Sequence, residues 1–248
     1  MLHPHLYQKL TIFIPLAGRR HCWRRLSKRL DELQLDKESC LLYLVDTSGD
    51  PGFAREVREW LARSDYVTNV FNQWRPYTDS ECTPTELVDR PRTHFDFYVI
   101  NKVMVDIYTL AQRMLSTPEI LIIEDDIIPP VDVYERLVAA RAPATYSVSG
   151  AYRIRNTENA WTAWRDLDSC NTVTGGTGVE EVKATGFGCL LMREADFKAA
   201  SISWTPKLQA GRPWPWGYDM EFFSKVPEGR QVLVDWGTVC EHISNRES

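Results

Sequence analysis

The chain has 248 residues, 44% hydrophobic and 25% charged, which suits one large globular α/β domain and leaves little room for a second. Its net charge of −5 argues against a nucleic-acid-binding protein, because such domains usually carry a basic surplus. No apolar run approaches the roughly 20 residues of a transmembrane segment, and the first residues lack the pattern of a signal peptide. The 6 cysteines are scattered without a zinc-binding spacing, which predicts reduced thiols in a cytoplasmic protein.

Residues 10–130 predict an alternation of buried strands and helices. Short runs of β-branched and other apolar residues predict strands at 10–16, 41–45 and 120–123. Apolar residues at helical spacing predict helices from Trp23 to Leu33, after a cap at Asp50, and from Phe97 to Met114. We expect the polar, proline-containing segment 72–92 to be a long loop. This order of elements predicts a mostly parallel sheet with helices packed on it.

Residues 145–243 have a different pattern, with few helices. Strands are predicted at 146–152, 188–192 and 231–236, and short helices near 194–200 and 219–225. We interpret this half as an extension of the same sheet that carries the acceptor side of a binding site. The organisation expected is therefore one domain over residues 1–248.

The sharpest local signal is a buried strand that runs directly into three acids, Glu124, Asp125 and Asp126. The other two strands of this half end in a turn containing Arg19 and in Asp46. Carboxyl ends of parallel strands meet at one edge of a sheet, where ligands of open α/β sheets bind. Several carboxylates packed there repel each other unless a cation lies among them, and Mg²⁺ and Mn²⁺ prefer such oxygen ligands. The competing interpretation is an ordinary polar strand end before the next helix.

The sequence Ile-Ile-Glu-Asp-Asp-Ile resembles the Asp-x-Asp strand-end motif of GT-A glycosyltransferases, which use nucleoside-diphosphate sugars. Further segments fall in that family's order: residues 11–19 resemble the first nucleotide-binding strand and turn, Asp46 the acid that contacts the base, Asn101 and Lys102 a diphosphate-contacting helix, and residues 186–188 the glycine stretch of the sugar site. The resemblance implies a GT-A-like domain with a Rossmann-like nucleotide-binding sheet. The donor-binding residues that it implies are Pro15, Ala17, Arg19, Asp46, Lys102, Glu124, Asp125, Gly186 and Gly188.

Two late segments bear on the mechanism that the resemblance implies. The sequence Trp-Gly-Tyr-Asp-Met-Glu-Phe resembles the acidic helix start that supplies a catalytic base, which assigns that role to Asp219, although many members have a glutamate where this chain has Tyr218. The sequence Val-Cys-Glu-His-Ile resembles the segment whose histidine completes the metal shell, so that His242 and Asp126 would bind Mn²⁺ or Mg²⁺. One base without an evident nucleophile implies inversion at the sugar, and a retaining course stays open.

On the acceptor side, Trp214 and Trp216 flank a proline next to the expected base, and Glu221 lies two residues beyond that base. We assign these three residues to acceptor binding. The acceptor would be a glycan or another hydroxyl compound, and a UDP-sugar is the favoured donor. A basic run at 19–29, without an acid, indicates either a solvated helix face or a patch for an anionic ligand. It keeps a modified base in DNA as a minor possibility for the acceptor.

Three alternatives remain at this stage. A metal-dependent nucleotidyltransferase also places acids at strand ends, but it normally carries a glycine-rich basic signature after its first strand. A glycoside hydrolase would need two carboxylates flanking the bond and no nucleotide site. A non-catalytic module with the same fold would bind a nucleotide or sugar without turnover. A dinucleotide-binding domain is disfavoured because no G-x-G-x-x-G follows a strand.

Overall fold

A computed structural model describes residues 8–74, 97–155, 157–168, 171–205, 208–209, 212–213 and 217–243. The helices are α1 (Arg20–Glu32), α2 (Pro51–Leu61), α3 (Phe97–Met114), α4 (Val133–Ala139), α5 (Glu194–Ala199) and α6 (Tyr218–Phe223). The strands are β1 (Leu10–Leu16), β2 (Cys40–Asp46), β3 (Thr68–Gln73), β4 (Glu119–Ile123), β5 (Ile127–Ile128), β6 (Thr145–Ala151), β7 (Ala163–Trp164), β8 (Val179–Val182), β9 (Ala184–Thr185), β10 (Cys189–Arg193), β11 (Leu208–Gln209), β12 (Arg212–Pro213), β13 (Gln231–Val239) and β14 (Glu241–His242). No helix within these ranges combines the length and the apolar character that a bilayer crossing requires.

The main sheet of the described part has 8 strands in the order β3-β2-β1-β4-β10-β6-β13-β8. Strands β3, β2, β1 and β4 pair in parallel, and so do β6 and β13. Strand β10 pairs antiparallel with both β4 and β6, and β8 pairs antiparallel with β13. Strands from both halves of the sequence therefore belong to one sheet, as predicted.

The directions of these strands decide where the chain can build a site. Because β10 is antiparallel to both of its neighbours, β6 and β13 run in the same direction as β1, β2 and β4. The carboxyl ends of these five strands lie at one edge of the sheet, which we call the carboxyl edge. Residues that follow them converge there, although they are far apart in sequence.

The core lies on both faces of the sheet. Alternate residues of each strand enter different clusters: Ile12 and Leu42 pack with α1, α2 and α4, whereas Phe13 and Tyr43 pack with α3, α5 and α6. Burial on both faces explains why the central strands are continuous apolar runs in the sequence and not alternating ones.

The predicted strands and helices are present with small shifts of their ends, and Asp50 caps α2 by accepting from two backbone N–H groups. The sequence analysis missed β3, so the segment read as a loop from residue 72 is still strand at Asn72 and Gln73. The rest of that loop, from 75 on, lies outside the described residues. The thiols of Cys22, Cys40, Cys189 and Cys240 are buried and free, whereas Cys82 and Cys170 lie outside the described residues.

Two valines test how much the central sheet contributes to stability. Val148 lies in β6 and is 0% exposed, whereas Val67 is 74% exposed. We expect Val148→Ala to lower the free energy of unfolding by about 2 kcal/mol, because it removes buried methyl groups and leaves a cavity. Val67→Ala should change it by less than about 0.5 kcal/mol. Urea denaturation measures both, and equal losses would mean that β6 does not lie in a packed core.

Candidate functional site

A cavity of about 390 Å³ opens at the carboxyl edge, between the ends of β4, β6 and β13 and the start of α6. Its size is within the range of small-molecule sites in proteins. It is lined by Glu124, Asp126, Tyr152, Ile154, Arg155, Thr162, Trp164, Gly186, Phe187, Gly217, Tyr218, Asp219, Met220 and His242. Two of the predicted donor residues, the predicted base and both predicted metal ligands therefore share one cavity.

One carboxylate oxygen of Asp126 contacts nitrogen atoms of side chains that follow three other strands. Oδ2 of Asp126, after β4, accepts from Nη1 of Arg19, after β1, at 2.7 Å. The same oxygen forms an ion pair with Nη2 of Arg155, after β6, and lies 3.3 Å from Nε2 of His242, in β14 after β13. Asp126 is nearly buried, so its charge depends on these neighbours for stabilisation.

The neighbouring acid fixes the turn after β1. Asp125 is buried, accepts from the backbone N–H of Ala17 at 2.9 Å, and pairs with Arg19 through both of its carboxylate oxygens. Desolvation acts to lower the pKa of Arg19, but the charge and hydrogen bond of Asp125 outweigh it and raise that pKa. Arg19 is therefore held between Asp125 and Asp126 and remains a fixed cation.

The third acid of the motif faces two phenols. Oε1 of Glu124 accepts from the hydroxyl of Tyr218 at 2.7 Å and from that of Tyr108 at 3.4 Å. Burial raises the pKa of Glu124, and the hydrogen bond from Tyr218 partly opposes this shift. The pair joins the end of β4 to the start of α6. Tyr218, where the family resemblance expected a glutamate, thus acts as a donor to the acidic motif.

His242 is held beside Asp126 by the pairing of β14 with β5, in which His242 lies opposite Ile127. Its Nδ1 is 2.7 Å from the carbonyl oxygen of Arg153, which can only accept, so the ring proton lies on Nδ1. Desolvation lowers the pKa of His242; the hydrogen bond to the carbonyl of Arg153 opposes this shift, and the nearby guanidinium groups add to it. In the neutral form with the proton on Nδ1, the lone pair of Nε2 is directed towards Asp126.

The start of α6 presents Asp219 to the cavity. Asn101, on α3, accepts from the backbone N–H of Tyr218 at 2.6 Å and so fixes the first turn of the helix. Gly217 leaves the space that the carboxylate needs, because a Cβ there would lie 2.4 Å from Oδ1 of Asp219. This half-buried carboxylate also accepts from the N–H of Met220 at 2.8 Å. Desolvation raises the pKa of Asp219 to about 6.

The glycine stretch of the predicted sugar site packs against Tyr152. A Cβ at Gly186 would lie 2.0 Å from the hydroxyl oxygen of Tyr152, and one at Gly188 would lie 2.7 Å from Cζ. The backbone N–H of Gly188 donates to that hydroxyl at 2.9 Å, and its carbonyl accepts from the N–H of Glu124 at 3.0 Å. Gly186 and Tyr152 therefore form part of one wall of the cavity, and Gly188 packs against Tyr152.

Asp46 lies at the end of β2, opposite Leu16 of β1, and is 0% exposed. Its Oδ1 accepts from the N–H and the hydroxyl of Ser48, at 2.9 and 2.7 Å. Its Oδ2 is buried and has no hydrogen-bond partner. An acceptor of this kind is costly to leave unsatisfied. Asp46 does not line the cavity around Asp219 and occupies a separate position along the carboxyl edge.

Several other predicted site residues lie away from the cavity. Lys102 is on an exposed face of α3, 3.7 Å from Asp106, and Pro15 is buried within β1. Glu221 accepts from Ser203, Lys225 and the N–H of Thr205, and it is absent from the lining of the cavity. Desolvation opposes these contacts, but together they lower the pKa of Glu221. Trp214 and Trp216 lie outside the described residues.

Every arginine and lysine of the basic run at 19–29 lies within ion-pair distance of an acid. Beyond Arg19, its cations pair with acids: Arg20 and Arg24 with Glu56, Arg25 with Glu241, and Lys28 and Arg29 with Glu32. The solvated-helix interpretation is the better one, because these pairs neutralise much of the positive charge of α1.

Sequence reasoning missed two residues of the site, Tyr152 and Arg155. Both follow β6, and the sequence Tyr-Arg-Ile-Arg places two cations at a predicted strand end, which could have identified them. Among the residues that the structure describes, no three histidine, cysteine or acidic side chains are grouped so as to hold a metal ion by themselves. The two predicted metal ligands, Asp126 and His242, do lie next to each other.

The sequence matches no protein-family model and no curated protein. Several solved structures share its fold. A fragment of TarS from S. aureus in complex with UDP-GlcNAc has a TM-score of 0.62 at 12% identity, with 97% of this chain and 60% of that chain covered. The mannosyltransferase PcManGT from Pyrobaculum calidifontis, in complex with GDP-Man and Mn²⁺, has a TM-score of 0.60 at 13% identity, with 96% and 58% covered. GalNAc-T7 with UDP, GalNAc and Mn²⁺ has a TM-score of 0.61 at 12% identity, with 96% and 44% covered.

The chain thus spans less than two thirds of the length of each of these three structures. Structural similarity at identities this low establishes the fold, but it leaves the substrates and partners of this chain open. The fold predicted from the acidic motif and the segments around it is confirmed: this chain has a GT-A-type fold.

Proposed function

We propose that the protein is a glycosyltransferase that moves a sugar from a nucleoside-diphosphate sugar onto an acceptor hydroxyl. One observation carries the proposal: a carboxylate with a pKa of about 6, Asp219, lines the same cavity as the pair of Asp126 and His242. Glycosyl transfer with a diphosphate leaving group requires a base for the acceptor hydroxyl and positive charge for the leaving group. A base and a candidate cation site share this cavity. The solved structures with this fold contain UDP-GlcNAc, GDP-Man and UDP with GalNAc, which supports a nucleotide-sugar donor.

The unpaired oxygen of Asp46 supports a nucleoside position at the ends of β1 and β2. A buried carboxylate oxygen without a donor would accept an N–H group of a nucleobase, and uracil and guanine both carry one. The turn from Ala17 to Arg19 lies between this position and the cavity, because β1 pairs with both β2 and β4. We infer that the nucleoside binds at Asp46 and that the diphosphate extends towards Asp126. A UDP-sugar remains the favoured donor.

The chemistry of the donor set fits a divalent cation, Mn²⁺ or Mg²⁺. The Nε2 lone pair of His242 and Oδ2 of Asp126 are two acceptors directed at each other, 3.3 Å apart, an arrangement that a shared cation stabilises. Two protein ligands suffice, because such ions usually complete their shell with water and substrate phosphates. When bound there, the cation would neutralise negative charge that develops on the diphosphate.

The residues of the chain then supply the rest of the reaction. Asp219 takes the proton of the acceptor hydroxyl as its oxygen bonds to the anomeric carbon, while the bond from that carbon to the diphosphate oxygen breaks. Gly186 and Tyr152 form the wall against which the sugar would lie. Attack opposite the leaving group gives inversion, which the configuration of the product at its anomeric carbon checks by NMR spectroscopy.

Two other carboxylates are poorer candidates for the base. Glu221 has a lowered pKa, and its hydrogen bonds with Ser203, Thr205 and Lys225 hold it away from the cavity. Glu124 is already the acceptor for Tyr218 and Tyr108. The carboxylate of Asp219 accepts from backbone N–H groups through Oδ1, so its second oxygen can face a hydroxyl group.

The acceptor class is a separate proposal. A glycan or another hydroxyl compound fits a cavity walled by Trp164 and Phe187, because sugar rings pack on aromatic side chains. A nucleic-acid acceptor is disfavoured, since the cations of α1 are paired with acids and the chain has a net charge of −5.

A panel of UDP- and GDP-sugars, each incubated with Mn²⁺ and candidate acceptors, tests the function. We expect release of the nucleoside diphosphate with at least one donor, and loss of that release in EDTA. Release of pyrophosphate would favour a nucleotidyltransferase instead. Nucleotide binding without any turnover over a broad acceptor set would favour a non-catalytic binding module.

The base is tested by a pair of isosteric substitutions. Asp219→Asn should lower turnover by about 10²–10⁴, the usual contribution of general-base catalysis, because the amide cannot take a proton. Glu221→Gln is the matched control and should retain most of the activity, since its side chain contacts Ser203 and Thr205 outside the cavity. Turnover at saturating donor measures both. An inactive Glu221→Gln beside an active Asp219→Asn would reverse the assignment.

The pH dependence follows from the same carboxylate. Asp219 must be deprotonated to act, and its pKa is raised to about 6. Turnover should therefore be constant above that pH and fall by about tenfold per unit below it, as the carboxylate becomes protonated. The pH profile of kcat measures this at saturating donor and acceptor. In Asp219→Asn the acidic limb should vanish, and a limb that persists in this variant would assign it to another group.

A further inference from the structure

Two arginines share the Asp126 carboxylate on unequal terms. Arg19 contacts Asp126 through Nη1 and is also bound to both oxygens of Asp125. Arg155 pairs with Asp126, and its Nε is buried without a hydrogen-bond partner. Two guanidinium groups beside one carboxylate also repel each other. Arg155 is therefore the more readily displaced of the two.

The atom that Arg155 contacts is the one that a cation would need. Its Nη2 pairs with Oδ2 of Asp126, the same oxygen that lies 3.3 Å from Nε2 of His242. A divalent metal ion held by Asp126 and His242 would be a third cation at this oxygen. If Arg19 left, the buried carboxylate of Asp125 would lose its ion-pair partner. Repulsion from the metal ion would therefore displace Arg155 and not Arg19.

We propose that Arg155 is an exchangeable counter-ion: it competes with the divalent cation for Asp126, and when the cation binds it moves onto the diphosphate of the donor. This inference rests on the proposed function. It goes beyond it by assigning the leaving-group contact to a residue after β6, in place of Lys102, which is exposed on α3. The exchange makes and breaks only ion pairs and hydrogen bonds.

The surroundings of Arg155 favour this exchange. Its side chain lines the cavity that also contains Asp219, so it can reach an anion there by rotation about its own bonds. It lies in a turn after β6, where Thr157 donates its backbone N–H to Ile154. A planar guanidinium offers paired N–H groups to phosphate oxygens, and the free Nε adds a donor that Asp126 does not use.

The exchange has a thermodynamic consequence that would be absent if the metal ion bound to Asp126 and His242 without displacing Arg155. When the cation binds alone, the ion pair between Arg155 and Asp126 is lost and nothing replaces it. When the cation binds together with a diphosphate, Arg155 forms a new ion pair with the diphosphate. Removing the guanidinium should thus strengthen binding of the metal alone and weaken binding of the metal-bound nucleotide. A merely structural role would weaken both.

Calorimetry on the full chain separates these effects. Mn²⁺ is titrated into the protein alone, and UDP and GDP are titrated into protein saturated with Mn²⁺. The variants are Arg155→Met and, in case an apolar head group is not tolerated, the neutral polar Arg155→Gln. Arg165→Met is the matched control, since Arg165 pairs with Glu180 and does not line the cavity.

In either neutral variant we expect Mn²⁺ alone to bind about tenfold more tightly and the nucleotide about tenfold more weakly than in the wild type, within the usual range of coupling between two sites. Arg165→Met should match the wild type in both titrations. Unchanged affinities, or a weakening of both, would overturn the role of Arg155 while leaving the proposed function intact. If the wild type itself binds neither nucleotide in the presence of Mn²⁺, the proposed function fails, and the role of Arg155 fails with it.

Discussion

Three consecutive carboxylates at the end of a buried strand cannot remain charged unless cations or donors reach them, and this constraint organises the carboxyl edge of the sheet. The groups that meet it come from elsewhere in the chain: Arg19 after β1, Arg155 after β6 and Tyr218 at the start of α6. They converge because β6 runs parallel to β4 even though the antiparallel β10 lies between them. The site therefore depends on the topology of the sheet, and no short segment could build it alone.

The cavity has two electrostatic poles. One is the cluster of Asp125 and Asp126 with their guanidinium partners, where opposite charges are packed closely. The other is the desolvated carboxylate of Asp219, which accepts from backbone N–H groups. Burial without a cation raises a carboxyl pKa, whereas burial beside a guanidinium favours the charged form. The carboxylates of Asp126 and Asp219 thus line one cavity in different surroundings, the first paired with guanidinium groups and the second with its pKa raised by desolvation.

The sequence allowed the central strands, the main helices and the fold to be predicted, because buried runs, helical apolar spacing and the acidic motif are local signals. It also singled out Asp126, Asp219 and His242, which the structure brings into one cavity. It could not predict that Glu221 would be engaged by Ser203 and Lys225, since that depends on the packing of a distant segment. The cations after β6 could have marked Arg155 as a candidate, but not its pairing with Asp126, because Asp126 lies 29 positions earlier on another strand end and no pattern in the sequence joins the two. Strand β3 was missed because its residues are only partly buried and carry a weak apolar signal.

The contact of Tyr152 with Gly186 and Gly188 has a consequence for how this wall of the cavity can vary among related proteins. The phenol occupies the space that a Cβ at either glycine would need, and its hydroxyl accepts the backbone N–H of Gly188. A side chain can therefore arise at position 186 or 188 only together with a smaller residue at position 152. Such an exchange would move bulk from one side of the wall to the other and alter the shape of the cavity. The three positions should accordingly change together in evolution.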